Sequence, residues 1–291
     1  MAGAVGGRGG GDRRPAGLYD RPVYALGSRT GTYGPQTGRA VYTAESAAAL
    51  HRHLAGGPRS VAVVGGGLTG VEMAAEIAEG GGGHRVSLIT AGSLGQGFLR
   101  KGRDHLRTVL TSRGVRVEEG RRVAGADDIE ADAVLWAASM AAGTELAGLG
   151  GLSLAPSGRI AVDPALRSVS HPEVYAAGDA ADARSVVAGP LRMACATALP
   201  AGSAVASAIV AEMRGEEPHP LSFGFVILCV SLGRHDGLVQ FVRPDDSPRD
   251  AVLTGRPAAW VKEQIVRSTV RFLRLAARAP WAVPLIPGIG H

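Results

Sequence analysis

Residues 61–72 run Val61-Ala62-Val63-Val64-Gly65-Gly66-Gly67-Leu68-Thr69-Gly70-Val71-Glu72. Four consecutive apolar residues followed by glycines read as a buried strand, and the segment beyond the glycines reads as the start of a helix. A dinucleotide pyrophosphate requires such a turn. Gly65 can take the tight turn after the strand, and Gly66 continues it. Gly67 lets the backbone approach the phosphates, and Gly70 lets the helix pack closely on the strand. The anion then faces the helix N-terminus, where unpaired N–H groups and the helix dipole favour negative charge. In a chain of 291 residues with 43 glycines, one G-x-G-x-x-G is weak evidence, because composition alone can produce a glycine-rich loop. The context decides. Met73, Ala74, Ala75, Ile77 and Ala78 continue as an alanine-rich helix, and Arg85–Ile89 reads as a second strand. Together they complete a βαβ unit of about 30 residues, the expected span.

The composition is that of a packed globular protein long enough for two domains, with 45% hydrophobic and 20% charged residues. The net charge of +5 comes from arginine, since Lys101 and Lys262 are the only lysines. Acidic residues are interspersed, and 4% aromatics give little to stack on bases, so no nucleic-acid partner is expected. Cys195 and Cys229 form no C-x-x-C pair, which argues against a disulfide reductase and for a reducing, cytoplasmic setting. The sequence is expected to have no apolar run of membrane-spanning length and no secretory leader. The eight histidines have no metal-ligand spacing, and His51 and His53, two apart, do not share a helix face. No metal site is expected. Hydrolase and kinase readings lack a G-x-S-x-G elbow or a P-loop lysine.

Along the chain, residues 1–16 are glycine and arginine without periodicity, and are expected to be disordered. The stretch Tyr19 to Ser28 reads as a strand ending in a glycine turn, followed by a helix around 44–54. After the nucleotide unit come a helix with Leu106, Val109 and Leu110 on one face and strands at 115–117 and Ala133–Trp136. Further strands are expected at 160–162 and 174–177, then a long helix of small residues over 199–214. Alternating strands and helices predict an α/β fold with a Rossmann-like, doubly wound parallel sheet.

Three separated pieces then form one pattern. They are Ala25-Leu26-Gly27-Ser28, the glycine turn with Glu72, and Val174-Tyr175-Ala176-Ala177-Gly178-Asp179. In this the chain resembles flavoproteins with two dinucleotide-binding domains in the pyridine nucleotide-disulfide oxidoreductase superfamily, in the branch of type II NADH dehydrogenases and apoptosis-inducing-factor-like proteins. The resemblance runs from about Leu18 to Phe241. It implies FAD and NAD(P)H as cofactors, and hydride transfer from NAD(P)H to FAD with a quinone-like or other small acceptor beyond. It also implies site roles. Ala25 and Gly27 lie in the link between flavin and NADH domains, and Gly65, Gly66, Gly67 and Gly70 hold the nicotinamide nucleotide. Glu72 lies close to the nicotinamide. The strand 132–138, ending at Ala138, closes the NADH site, and Gly178 and Asp179 face the flavin, with Asp179 on its ribityl hydroxyls. A partial FAD-binding domain is implied over 17–58 and 143–215, an NAD(P)H-binding domain over 59–142, and a C-terminal α+β interface domain over 216–291. A homodimer is compatible with it.

Elementary chemistry agrees with these roles. A carboxylate after a close-approach glycine suits a polyol, because it accepts hydrogen bonds without needing to donate. Asp179 taken alone reads equally as a turn or cap aspartate, and Glu72 as a partner of the helix dipole. Hydride transfer requires no catalytic acid or base, since the cofactors carry the reaction. Two departures from the family pattern stand out. Relatives begin with a further strand-glycine-helix unit for the ADP half of FAD, and Met1–Gly11 has glycines without a strand or helix around them. The alternative reading is therefore a truncated, flavin-free NAD(P)H-binding fragment acting as a binding module, and the chain as written is expected to purify with little FAD. Thr90 stands where an NAD-specific protein places an acid on the adenine ribose, so the choice of NAD or NADP is open. Arg100, Lys101 and Arg103 follow it, either as solvated surface or as partners of a 2′-phosphate.

The C-terminal region has strand candidates at 225–232 and 237–242, linked by Gly233-Arg234-His235-Asp236. Residues 259–278 form an expected basic amphipathic helix with Arg267, Arg271, Arg274 and Arg278 on one face. It reads either as a helix packed on its own domain or as a peripheral contact with the inner face of a membrane.

Overall fold

The computed structural model describes residues 19–31 and 41–279. The tail expected to be disordered lies outside these residues. A five-stranded parallel sheet organises the molecule, in the spatial order β3 (Val41–Tyr42), β7 (Ala133–Trp136), β4 (Ser60–Val64), β5 (Arg85–Ile89), β6 (Arg116–Glu118). Its central strands β4 and β7 are short apolar runs because both faces are covered, as parallel sheets require. Alternate side chains therefore enter two different cores. Val63, Leu88 and Leu135 pack on one face with α1 (Ala47–Leu54), α2 (Leu68–Glu79) and α3 (Arg100–Ser112). Ala62, Val64, Ile89, Val134 and Trp136 pack on the other with Ala126 and Ile129.

A second unit is assembled from both sides of the nucleotide unit in sequence. The parallel pair β1 (Val23–Tyr24) and β9 (Tyr175–Ala176) brings the two outlying motifs together. The antiparallel pair β2 (Ser28–Thr30) and β8 (Met140–Ala142) forms the crossing ribbon to the large sheet, and α4 (Glu145–Leu149) follows β8. The hairpin β10 (Arg184–Ser185) and β11 (Gly189–Pro190) precedes α5 (Cys195–Met213), which packs Ala201, Val205 and Ala208 against Tyr175, Ala176 and Ile160. Glu212 at the far end of α5 accepts from Arg21 Nε at 2.7 Å and Arg167 at 3.3 Å, fastening the helix to both segments.

Beyond this unit, β12 (Ile227–Ser231), β13 (Gly237–Val242) and β14 (Pro248–Thr254) form an antiparallel sheet covered by α6 (Gly255–Arg278). This C-terminal sheet shares its core with the nucleotide unit, since Leu228, Val230, Leu232 and Leu238 join the cluster of Val71, Ala74, Leu106 and Leu110. Buried Gln240 fixes the junction. Its amide nitrogen donates to Arg249 O at 2.6 Å and Ala251 O at 2.9 Å, and its oxygen accepts the Leu99 amide at 3.3 Å, at the mouth of α3.

Several expected boundaries are corrected. Residues 160–162 form isolated bridges, Ile160 to Ala181 and Val162 to Ser168, because each pairs with a different segment and no ladder extends beyond one residue pair. The strand expected to end in a glycine turn is shorter than read, Val23–Tyr24, and the turn falls at Gly27 with φ +67°, after which β2 begins. β14 is a further strand that the sequence reading does not predict; as an edge strand it tolerates proline at its first position. α6 begins at Gly255, with Pro257 in its first turn. α5 begins at Cys195, a turn before the start near 199 that the periodicity predicts, and carries Pro200 in its second turn. By length and composition α5 is also apolar enough to cross a membrane, contrary to expectation, yet one side of it belongs to the second core.

Candidate dinucleotide and flavin sites

The glycine turn is built so that three of its glycines serve the protein's own packing and one faces open space. Gly65 has φ +126°, and a Cβ there would stand 2.7 Å from the Ala137 carbonyl carbon and 2.9 Å from the Ala138 nitrogen. Ala138 is thereby seated against the turn. A Cβ on Gly66 would meet Thr90 Oγ1 at 2.7 Å, and one on Gly70 would overlap the Gly65 carbonyl, 2.9 Å from its carbon. Gly67 has no atom within 4 Å of where its Cβ would be. It is the N-cap of α2 with extended backbone, so the following amides of Leu68 and Thr69 lack intrahelical acceptors at the helix mouth. An exposed anion cradle at a helix N-terminus fits a pyrophosphate. The loop after β5 is drawn over the turn by the Gly95 amide, which donates to Gly66 O at 2.8 Å.

At the end of β5, Thr90 is buried and held between β6 and the turn. Its amide donates to Glu118 O at 2.9 Å and its carbonyl accepts the Arg121 amide at 3.0 Å. Two of the basic residues after it are engaged elsewhere: Lys101 pairs with Asp250 on β14 at 2.6 Å, and Arg100 with Asp104 at 3.8 Å, whereas Arg103 lies beside Gly95.

Glu72, one turn into α2, has its carboxylate directed at the C-terminal region. Oε1 accepts the Ser231 amide at 2.9 Å and lies 3.2 Å from Lys262 Nζ. Burial lowers the proton affinity of the Lys262 ammonium, but the charge of Glu72 outweighs it, and the net pKa lies above the ordinary lysine value. Cys229, on β12, is electrostatically coupled to the same pair, and its thiol is raised chiefly by burial. Sequence reasoning missed Lys262. The signal was there, because it is one of two lysines in an otherwise arginine chain.

The second cluster gathers Ala25, Gly27, Ser28, Gly178 and Asp179. Ser28 Oγ donates to Asp179 Oδ2 at 2.5 Å, although the two residues are 151 positions apart. Asp179 Oδ1 is buried without a hydrogen-bond partner, so it is ready to accept from a hydroxyl that the protein does not supply. Gly178 has φ +67° and lies against the first turn of α5, its Cβ position 3.6 Å from Ala198 Cβ. The ribbon of β2 and β8 joins this cluster to the first: the Gly143 amide donates to Gly27 O at 2.9 Å and the Gly31 amide to Ser139 O at 3.1 Å. Ser139, immediately after Ala138, has φ +100°, a strained conformation for serine that sequence reading did not anticipate. Among the described residues no group of His, Cys, Asp or Glu is arranged to hold a metal ion.

A parallel sheet with a glycine turn at its centre and a second turn-and-carboxylate cluster beside it defines a Rossmann-type dinucleotide-binding protein. Residues 12–215 match the model of the pyridine nucleotide-disulphide oxidoreductase family. The chain belongs to that family. It is 29% identical to an NADH dehydrogenase-like protein of Mycobacterium tuberculosis, over 85% of this chain and 68% of the relative. A FAD-dependent pyridine nucleotide-disulphide oxidoreductase from Desulfovibrio vulgaris shares the fold with a TM-score of 0.59 and 23% identity, over 77% of this chain and 61% of that one. A water-forming NADH oxidase from Lactobacillus brevis, bound to NADH, does so with a TM-score of 0.60 and 23% identity, over 77% of this chain and 52% of that one. The chain thus spans about three-fifths or less of these two solved structures.

Proposed function

We propose that this protein is an NAD(P)H-dependent flavin oxidoreductase that delivers electrons to a quinone-like or other small acceptor. The observation that carries the reading is the contrast within the glycine turn, where Gly65, Gly66 and Gly70 are closed by protein atoms and Gly67 alone is open. On this reading Gly67 and the α2 amides hold the pyrophosphate of NAD(P)H, Ala138 walls the site, and Thr90 lies at the adenine ribose. Asp179, positioned by Ser28, holds flavin ribityl hydroxyls, with Gly178, Gly27 and Ala25 shaping the backbone around them. Glu72 stands on the nicotinamide side, and its ion pair with Lys262 fixes the C-terminal sheet over that end of the cleft. When bound, the two cofactors supply the hydride chemistry themselves; the protein's part is to hold and orient them and exclude water.

The domain division we propose is a nucleotide unit over 59–142, a flavin-side unit over 17–58 and 143–215, and a C-terminal region over 216–291, although β3 and α1 pack with the nucleotide sheet and the C-terminal sheet shares its core. α6 supports a peripheral site at the inner face of a membrane. Its exposed side carries Val266, Val270 and Leu273 beside a row of Arg267, Arg271, Arg274 and Arg278, an arrangement suited to an anionic lipid surface.

A second reading, a flavin-free NAD(P)H-binding module, is favoured by one observation: a single strand-glycine-helix unit stands among the described residues. One experiment addresses both. The purified chain is titrated with NADH and with FAD by fluorescence, alongside Gly67→Val and Asp179→Ala. Loss of NADH affinity in Gly67→Val and of FAD affinity in Asp179→Ala supports the oxidoreductase reading. NADH binding without any FAD binding supports the module, and unchanged NADH affinity in Gly67→Val removes the site assignment altogether.

A further inference from the structure

The end of β5 is where a Rossmann-type site distinguishes the two nicotinamide dinucleotides, because the adenine ribose lies there and a carboxylate at that point accepts from the 2′-hydroxyl and repels a 2′-phosphate. This chain has Thr90 instead, a neutral hydroxyl residue locked in place by Gly66, Glu118 O and the Arg121 amide. The two nearby carboxylates are already neutralised. Glu118 is paired with Arg116 at 3.0 Å and Arg121 at 2.6 Å. Glu119 accepts the Leu94 amide at 2.7 Å and pairs with Arg107, and these partners hold its carboxyl below the ordinary value. Arg122 adds a further cation after β6. The surroundings of Thr90 therefore contain no uncompensated negative charge and a surplus of arginine. Of the basic residues that follow β5, Lys101 and Arg100 are held by Asp250 and Asp104, while Arg103 lies beside Gly95 and its charge acts on Glu119. The site lacks the acid that would exclude a 2′-phosphate, and the arginines around it are shared with Glu118 and Glu119 instead of being dedicated to one.

We infer that Thr90 makes this a dual-specificity nucleotide site that accepts NADPH and NADH alike, and that it is the residue that sets this tolerance. The inference rests on the reading of the glycine turn as a nicotinamide nucleotide site. Discrimination between related ligands is a difference of affinities, and a repulsive group produces it more sharply than an attractive one. Introducing a carboxylate at position 90 should then convert the site to NADH alone.

The test is fluorescence titration of the full chain with NADH and with NADPH, repeated for Thr90→Asp and Thr90→Glu, with thermal melting of each variant. Aspartate is close to threonine in size and suits the tight space beside Gly66; glutamate reaches further. The parent should bind the two dinucleotides within about tenfold of each other. In whichever variant keeps the parent's melting curve, NADPH should weaken about 100-fold while NADH changes by less than about fivefold, the asymmetry expected of a like-charge contact. A parent that prefers either dinucleotide by more than about 100-fold overturns the inference and leaves the proposed function standing. So does an equal loss of both ligands in a folded variant, which would make Thr90 merely a structural support of the turn. Binding of neither dinucleotide by the parent overturns the nucleotide site itself, and the inference with it.

Discussion

Lys262 Nζ on α6 lies 3.2 Å from Glu72 Oε1 on α2, and the same oxygen accepts the Ser231 amide of β12 at 2.9 Å. One carboxylate near the mouth of the glycine turn thus ties together three elements that are distant in sequence. Both side chains are roughly three-quarters to two-thirds shielded from water, so the pair is partly desolvated. Replacing Lys262 by Met should cost about 1–2 kcal/mol, because it leaves Glu72 half-buried with one hydrogen bond. The raised lysine pKa places loss of the pair only at alkaline pH, above the ordinary lysine range, so the effect should be constant from pH 6 to about 9. Urea unfolding of Lys262→Met, Glu72→Gln and the double variant reads the coupling; strict additivity would show that the pair contributes nothing.

Gly70 and Gly67 should separate stability from binding. A methyl group at Gly70 runs into the Gly65 carbonyl, so Gly70→Ala must push α2 off the sheet and should destabilise by about 3 kcal/mol or more, or fail to fold. Gly67→Ala meets no protein atom and should melt near the parent while losing dinucleotide affinity. Melting curves and NADH titrations of the two variants check this, and equal melting temperatures would contradict the packing argument.

Acid should unfasten α5. Burial raises the Glu212 carboxyl, but the hydrogen bonds from Arg21 and Arg167 and the nearby Tyr175 hydroxyl prevail, and its pKa lies below the ordinary 4.5. The Tyr175 hydroxyl facing it is pushed up to about 12, by burial first and then by Glu212. A depressed carboxyl contributes its stabilisation fully above the unfolded value and loses it as pH falls through the folded one. Stability should therefore fall as pH drops below about 4.5, and Glu212→Gln should flatten that decline while losing about 1–2 kcal/mol at neutral pH. The urea midpoint of parent and variant between pH 3 and 7 measures it; parallel curves would assign the acid limb to other carboxylates.

The two thiols should react at very different rates. Cys195 is exposed at the start of α5, whereas burial pushes the Cys229 thiol up. At pH 8 a thiol reagent should modify one cysteine rapidly and the second only as pH rises past about 9 or the protein unfolds, because the thiolate is the nucleophile. Mass spectrometry of the labelled peptides identifies which, and fast labelling of Cys229 at neutral pH would contradict its burial.

If α6 lies on lipid, the parent should sediment with vesicles of acidic phospholipid at low salt and be released by added salt, and Arg271→Glu with Arg274→Glu should not sediment. Failure of the parent to bind would leave α6 as a helix packed on the C-terminal sheet alone.

The nucleotide unit was legible in the sequence because its signals are local. A strand of four apolar residues, glycines at fixed spacing and an alanine-rich helix each follow from neighbours along the chain, and β5 and β7 fall where they were expected. The parallel sheet and the family membership follow from the same motifs. What the sequence could not supply is everything carried by long-range contact. The use of Gly70 is set by where the Gly65 carbonyl falls, and the pairing of Ser28 with Asp179 spans 151 residues. Lys262 reaches Glu72 only because the C-terminal sheet shares a core with α2 and α3 instead of forming its own. β14 escaped notice because a charged, proline-started edge strand owes its conformation to the partner β13 and to Gln240, and very little to its own side chains. Local sequence determined which elements can bind a dinucleotide; tertiary packing decided which of their atoms remain open to it.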